Sequence, residues 1–288
     1  METRRSGCRS SAVKQDFAGK VVWITGGGSG IGQACAVELA RRGADVALSG
    51  RRVDRLEEVA AELRQLDVHA LAVPADVRHE DQQRAAVARV VAELGQLDVA
   101  IANAGFSVPG SIAELSADDW RRQLDTNVVG AALTARCALP ELGKTAGRLA
   151  LIGSVSGFIP APGFGAYHAS KHALRAIGQT LATELHGSGV SCTTVHPGFV
   201  ESEIGQVDAA GHHDPSRPDH RPQPLMWRAP RAARVIVNAI RRRKREIVFS
   251  GHGKLAAFLG MHFPALTHAV MTLGPVRRQI GSVRPDEG

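Results

Sequence analysis

Short, almost wholly apolar runs alternate along this chain with longer stretches of helical period. The runs fall at 20–25, 45–49, 68–73, 97–102, 148–153, 190–195 and 246–250, each of strand length. Apolar at nearly every position, they read as strands buried on both faces rather than on one. Between them, 33–42, 52–66, 80–94, 118–139 and 166–185 repeat apolar residues at intervals of three and four, the spacing of a helix with one face against a core. Such alternation predicts an α/β fold, a parallel sheet of about seven strands doubly wound with helices on both faces. A chain of 288 residues can form one domain with a substantial core, and neither an internal repeat nor a second domain is visible. The sheet-bearing domain is expected over 17–252. A basic, disordered extension at 1–16 precedes it and an apolar helical extension at 253–288 follows.

The first strand runs directly into Gly26-Gly27-Gly28-Ser29-Gly30-Ile31-Gly32, and a helix follows. Alone, a glycine-rich turn could be only a tight loop. Between a strand and a helix it makes a phosphate cradle, because backbone N–H groups can approach an anion and the helix N-terminus attracts negative charge. The sheet is therefore expected to be of Rossmann type. A second pairing lies farther on. Tyr167, the only tyrosine, precedes Lys171 by four residues, so a helix sets the phenol and the ammonium on one face. A cation about 4 Å away at an effective dielectric of about 20 favours phenolate by up to roughly 4 kcal/mol. That corresponds to about three pKa units, enough to bring a phenol near the range useful for proton transfer.

The turn spacing is Thr-Gly-x-x-x-Gly-x-Gly, carried by Thr25, Gly26, Gly30 and Gly32. Further motifs follow in chain order. They are Asp76-Val77 at the end of the third strand, Asn103-Ala104-Gly105 at the end of the fourth, and Asn127 in Asp125-Thr126-Asn127-Val128. Ser154 stands thirteen residues before Tyr167, and Pro197-Gly198-Phe199-Val200-Glu201-Ser202 follows the sixth strand. In these motifs the chain, over roughly 18–250, resembles the short-chain dehydrogenase/reductase family in its single-domain branch. Departures are small: His196 stands where asparagine often precedes Pro-Gly, Ser202 where threonine is usual, and Ala102 where a second asparagine is common.

The resemblance implies an oxidoreductase that interconverts a carbonyl and a secondary alcohol with a nicotinamide cofactor. By it, Ser154 polarises the substrate oxygen and Tyr167 exchanges a proton with that oxygen. Lys171 holds the ribose hydroxyls and lowers the tyrosine pKa, while Asn127 positions a water linking Lys171 to solvent. The cofactor set it implies is Thr25, Gly26, Ser29, Gly30, Ile31, Gly32, Asp76, Val77, Asn103, Ala104, Gly105, Tyr167, Lys171, Pro197, Gly198, Val200 and Ser202. Asp76 meets the adenine, and the Pro197–Ser202 turn faces the nicotinamide. Ser156 reads as a structural serine at the strand end. Homodimers or homotetramers are implied, through the long helices around Asn127 and Tyr167. Two other readings stay open: a sensor that binds the cofactor without turnover, and an NAD-preferring alcohol dehydrogenase. A lyase or epimerase of this fold would carry a longer glycine spacing and a larger C-terminal domain.

The second strand ends in Ser49-Gly50-Arg51-Arg52, without the Asp or Glu that holds both ribose hydroxyls of NAD. A guanidinium suits a 2′-phosphate through charge and its planar fork of donors. NADP(H) is thus favoured over NAD(H). Arg51 is the leading contact, with Arg52 either a second one or simply the start of the next helix; two solvent-facing arginines with NAD bound are the alternative.

Net charge is +7, and residues 203–288 supply it, with 14 Lys or Arg against 7 Asp or Glu. Interleaved aromatics and a known binding module are lacking, so no nucleic-acid partner is expected. The four cysteines (Cys8, Cys35, Cys137, Cys192) are dispersed, which fits reduced thiols in a cytoplasmic protein and no metal site. The N-terminal stretch has no apolar segment of the secretory kind. His212 and His213 are expected in solvent, in a Pro-rich section from Gly205 to Pro230 that reads as a lid. Phe106, Phe158, Phe164, Phe199, Met226 and Trp227 suggest an apolar pocket for a small hydrophobic substrate. Finally, 255–274 carries no Asp, Glu, Lys or Arg, and Pro264 divides it into two short helices. That segment is expected to cover the chain's own pocket, a partner subunit, or a membrane surface. In the membrane case, Lys254, Arg277, Arg278 and the Arg241–Arg245 run would lie near headgroups.

Overall fold

The computed structural model describes residues 15–207, 214, 216, 219 and 221–272. Seven strands pair in parallel: β1 (Val21–Thr25), β2 (Asp45–Ser49), β3 (Ala70–Ala72), β4 (Val99–Ala102), β5 (Arg148–Ile152), β6 (Ser191–Pro197) and β7 (Glu246–Phe249). Their order, β3-β2-β1-β4-β5-β6-β7, reverses direction between β1 and β4. A crevice opens at such a switch point, beyond the carboxyl ends of the strands, and ligands of open α/β sheets bind there.

The period-two alternation of the strands divides the core into two layers. Val22 and Ile24 of β1 enter one layer with α1 (Gly30–Arg41), α2 (Val53–Arg64) and α7 (Ala229–Arg241). Val21 and Trp23 enter the other with α3 (Glu80–Leu94) and two later helices, α5 (Gly130–Lys144) and α6 (Gly165–Glu184). Every β1 residue is thereby buried, which is why the strand reads as continuously apolar.

The helix expected over 118–139 is not continuous. It begins as α4 (Ala117–Leu124), capped by Ser116 and Asp119 in a reciprocal box, and then opens into a π turn over Asp125–Val129 before α5. The C-terminal pair forms as α8 (Gly251–His262) and α9 (Pro264–Thr272). Pro264 sits at the start of α9, where a missing N–H costs nothing. No single helix among the described residues is long and apolar enough to cross a membrane, and α8 and α9 meet at a bend of 118°.

Of the extension expected at 1–16, residues 1–14 lie outside the described residues; Asp16 is held by Arg241 at 3.2 Å and Arg42 at 3.6 Å, and Phe17, the first residue of the expected domain, is buried in the core. The Arg241–Arg245 run is not beside Lys254. It precedes β7 at the opposite edge of the sheet from the crevice, and Arg243 turns back to donate to the carbonyls of Ala146, Gly147 and Gly189. Those carbonyls lie just before β5 and β6, so Arg243 ties two strand entrances together instead of reaching outward. Cys8, His212, His213, Arg277 and Arg278 fall outside the described residues, as does part of the Gly205–Pro230 section. Cys35, Cys137 and Cys192 are free thiols, and no group of metal-ligating side chains occurs among the described residues.

The edge away from the crevice has its own anchor. Asp98, almost fully buried just before β4, accepts from Lys20 Nζ at 2.9 Å, the Val21 backbone N–H at 2.9 Å and Gln96 Nε2 at 2.8 Å. Removing the carboxylate leaves a buried N–H unsatisfied at the entrance to the central strand. Asp98→Ala is expected to lower unfolding free energy by about 2–4 kcal/mol. Urea denaturation should show this as a shifted midpoint with an unchanged slope, and a shift worth under about 0.5 kcal/mol would refute the anchor.

Candidate active site

The glycine turn fits a dinucleotide. Gly26 has a φ of +65°, and a Cβ there would lie 2.9 Å from both the Ala104 Cα and the Asn103 amide nitrogen. A Cβ on Gly32 would fall 2.2 Å from the Gly26 carbonyl oxygen. Only glycine permits this closeness. Ser29 is the N-cap of α1 and makes no side-chain capping bond, and the first turn of α1, with Ile31 in it, contains no acidic residue. The helix N-terminus therefore keeps its partial positive charge available to a phosphate.

Thr25 joins this turn to the end of β4. Its Oγ1 accepts from the Asn103 backbone N–H at 3.1 Å and that of Ala104 at 3.3 Å, while Asn103 Nδ2 donates to the Thr25 and Gly26 carbonyls at 3.0 Å each. Gly105 follows, with Asn127 Oδ1 3.1 Å from where its Cβ would be. On the far side, Ser202 closes over the turn, its Cβ 3.0 Å from the Cβ position of Gly30. The Pro197–Ser202 segment and the glycine turn, about 170 residues apart in the chain, thus form two walls of one crevice.

At the end of β2, Arg51 and Arg52 part company. Arg52 is the N-cap of α2, and its guanidinium pairs with Glu203 and donates to Ser29 Oγ at 3.1 Å. Arg51 contributes its charge to Asp76. Burial alone would raise the Asp76 carboxyl, but hydrogen bonds and charge from Arg78, with the charge of Arg51, hold it below the usual carboxylate range. Val77, next to Asp76, packs against Gly130 and offers its carbonyl to Gln83 at 2.6 Å.

The chemistry-bearing side chains meet where β5 passes into α6. Ser154 caps a short 3-10 turn, its Oγ accepting the Ser156 N–H at 3.1 Å, and its side chain acts to lower the pKa of the Tyr167 phenol. Ser156 has the structural place expected of it, its carbonyl meeting His168 Nδ1 at 3.0 Å. Tyr167 and Lys171 share one face of α6, with the Lys171 ammonium 5.6 Å from the ring centroid. Lys171 is buried and donates to the Ile152 carbonyl at 3.0 Å, and desolvation brings its pKa down to about 8. Asn127, fully buried in the π turn, accepts from the Phe106 N–H at 3.1 Å. Its Nδ2 donates to the Phe106 carbonyl at 3.0 Å and to Ser170 Oγ at 3.1 Å. The π turn shifts the hydrogen-bond ladder by one residue, a device found mostly at functional sites.

Burial pushes the Tyr167 phenol above its ordinary value, and this outweighs the Ser154 hydrogen bond and the charge of Arg221, which act the other way.

Several contributors carry no local signal in the sequence. Arg221, in the Pro-rich section, donates to the Ser202 carbonyl at 2.7 Å, to Ser202 Oγ at 3.1 Å and to the Val200 carbonyl at 2.9 Å, clamping the Pro197–Ser202 turn. Behind Ser154 lies the imidazole of His196, fully buried, with Nδ1 3.1 Å from the Ser154 carbonyl and Nε2 2.9 Å from Glu246 Oε1. Arg175 donates to the same Glu246 oxygen at 2.9 Å and stacks 4.2 Å over the Phe158 ring. The His196 hydrogen bond, with Arg175 added, holds the Glu246 carboxyl down to about 2. The aromatic residues read as pocket walls divide in function. Trp227 packs on the core beside α7, Phe158 meets His196 edge-on, and Phe199 stacks on His252.

Comparison with known proteins agrees with this geometry. A family model described as short chain dehydrogenase matches residues 20–212. The 11-beta-hydroxysteroid dehydrogenase 1A of Arabidopsis thaliana is 40% identical over 200 residues, which are 68% of this chain but only 57% of that relative. An uncharacterized oxidoreductase of Staphylococcus aureus (strain MRSA252) is 37% identical over 186 residues, covering 64% of this chain and 80% of the relative. A short chain dehydrogenase/reductase from Burkholderia phymatum in complex with NAD superposes with a TM-score of 0.78 at 27% identity, over 87% of this chain and 96% of its own. A short chain dehydrogenase from Burkholderia cenocepacia J2315 in complex with NADP does so with 0.74 at 29% identity, over 83% and 99%. With the glycine cradle, the parallel sheet and the Ser154–Tyr167–Lys171 cluster in their places, the chain belongs to the short-chain dehydrogenase/reductase family of oxidoreductases.

Proposed function

We propose that this chain interconverts a carbonyl and a secondary alcohol on a small hydrophobic substrate, using NADP(H). The observation that carries this reading is the Tyr167–Lys171 pair on one face of α6, the buried ammonium 5.6 Å from the phenol ring, with Ser154 in the turn just after β5. When bound, the nicotinamide supplies or takes up the hydride. The rest of the chemistry falls to the chain. Ser154 Oγ is placed to hold the substrate oxygen, and Tyr167 gives its phenol proton to that oxygen in reduction and takes it back in oxidation. Lys171 is a ribose-hydroxyl donor next to the phenol, and Asn127 fixes the loop at Phe106 against α6 through Ser170.

Arg51 supports NADP(H), since its charge reaches the Asp76 region where the adenine end would lie while Arg52 is engaged with Glu203. Solved relatives carry either cofactor, so the choice rests on this residue. The Arabidopsis relatives are named for a hydroxysteroid, and the hydrophobic substrate class proposed here includes molecules of that kind. An open apolar groove of about 580 Å³ between α5 and α6, lined by Ala132, Leu139, Ile177 and Leu181, supports a homodimer or homotetramer. Buried, unpaired Cys35 and Cys192, whose thiols burial pushes up to about 12, suit a cytoplasmic location.

The direct test is NADPH consumption against a panel of apolar ketones, aldehydes, quinones and steroids. Tyr167→Phe is expected to lower turnover by about 10²–10⁴-fold with NADPH affinity nearly unchanged. Retained turnover would remove Tyr167 from the chemistry. The kcat/KM for NADPH reports groups of the free enzyme. It should hold steady on the acid side and decline as Lys171 loses its proton above about 8. A profile flat to about pH 10 would contradict that assignment. For selectivity, Arg51→Ala should weaken NADPH binding about 10–100-fold, as loss of charge-assisted bonds to a phosphate does, and leave NADH within about twofold. Equal losses for both cofactors would place Arg51 away from the 2′-phosphate.

A further inference from the structure

Helix α8 is amphipathic in the reverse sense. The residues facing the body are small: Gly253, Ala257 and Gly260, at the four- and three-residue steps of one helix face. The approach is close, since a Cβ on Gly260 would fall 2.2 Å from the Phe158 carbonyl oxygen and one on Gly253 would lie 3.0 Å from Val155 Cγ1. The large residues face out. Leu255, Phe258, Met261, Phe263, Leu266 and Val270 each keep between 46% and 59% of their surface exposed, across both helices and the bend between them. A water-facing helix pair normally does the opposite, and a contiguous apolar surface of this kind marks an interaction site.

The charges beside it select the occupant. Lys254 lies on α8, neither α8 nor α9 carries an Asp or Glu, and the sequence after α9 runs through Arg277, Arg278 and Arg284 before Asp286 and Glu287. A protein partner is ordinarily met through an apolar centre with a polar rim of both signs. A helix pair with a lysine and no carboxylate, beside aromatic and aliphatic side chains, matches anionic lipid headgroups above acyl chains. The bend of 118° rules out a straight crossing, and a bent apolar pair of this length suits a docking surface.

We propose that α8 and α9 dock on the surface of an anionic lipid bilayer. The inner face of α8 packs on Val155 and Phe158, in the loop that carries Ser154, and on the turn at Gly198. The lipid surface therefore adjoins the mouth of the crevice. It follows, resting on the function proposed above, that an apolar substrate enters from the bilayer side.

Vesicle sedimentation of the full chain separates the two statements. Wild type should sediment with phosphatidylglycerol/phosphatidylcholine vesicles, at least tenfold more than with phosphatidylcholine alone, and lose this preference in high salt. Phe258→Gln with Leu266→Gln should reduce binding at least tenfold while NADPH binding and the thermal midpoint hold, and Lys254→Glu should weaken it severalfold. Wild type left in the supernatant, or a double variant that sediments like wild type, would overturn the docking. So would a wild type that ignores vesicles but forms a larger assembly than the double variant by light scattering, since a second copy would then be the occupant. Because sedimentation needs no turnover, its outcome is independent of whether the substrate reading holds.

Discussion

A single buried cation organises the catalytic end of this molecule. The Lys171 ammonium lies within the protein with the Ile152 carbonyl as its hydrogen-bond acceptor. Burial of a charge on a neutral partner costs several kcal/mol unless further polar groups complete its shell. The depressed value of about 8 expresses that cost. Such a group is poised to gain from hydroxyls brought by a ligand, because each new acceptor restores part of its lost hydration. The same lysine fixes geometry. Its tether runs to the last residue of β5, two positions before Ser154, and its helix presents Tyr167 one turn earlier. Strand end, loop and helix start are thus locked into one unit.

That unit is supported from behind by residues that do not face the crevice. His196 and Glu246 lie on neighbouring strands, Arg175 comes from α6, and their contacts run from the Ser154 carbonyl to the Phe158 ring. Fixed dipoles and charges behind a reacting hydroxyl limit how far it can stray, and misplacement by an ångström is costly in catalysis. The opposite wall is arranged likewise. Arg221 grips both the carbonyl and the hydroxyl of Ser202, and Ser202 in turn touches the glycine turn. The crevice is therefore bounded by backbone held through charge-assisted bonds, which are shorter and stronger than neutral ones.

The strands were legible because burial on both faces makes each a continuous apolar run, as with Val21–Thr25. The helix α3 coincides with its predicted span, since Glu80 and Asp81 mark its first turn and Gly95 its end. The glycine cradle and the Tyr167–Lys171 pair were legible for a related reason: their spacing is local, within one turn or one helix, whereas Ser154, thirteen residues before Tyr167, is read only through the family resemblance. What escaped is non-local. The π turn at Asn127 follows from packing against Phe106 and Ser170, not from the pattern of 118–139, which reads as unbroken helix. Arg175, His196 and Glu246 meet only because β6, β7 and α6 are neighbours in space. The shift of Tyr167 depends on how much water the fold removes, and the four-residue spacing to Lys171 carries no information about that.

The rotation of α8 shows the same priority of backbone over side-chain burial. Turning the helix to bury Leu255 and Phe258 would recover about 1.5–3 kcal/mol for each side chain fully removed from water. The contact with Phe158 forbids it, for the helix approaches that carbonyl so closely that even a methyl group at position 260 would overlap it. Only the small face fits inward, and the large residues are committed to the outside by default. A sequence reading that assigns apolar side chains to the core therefore misplaces them here. Their exposure is set by the proximity of α8 to the loop that carries Ser154, so the apolar surface and the catalytic mouth are two faces of one packing decision.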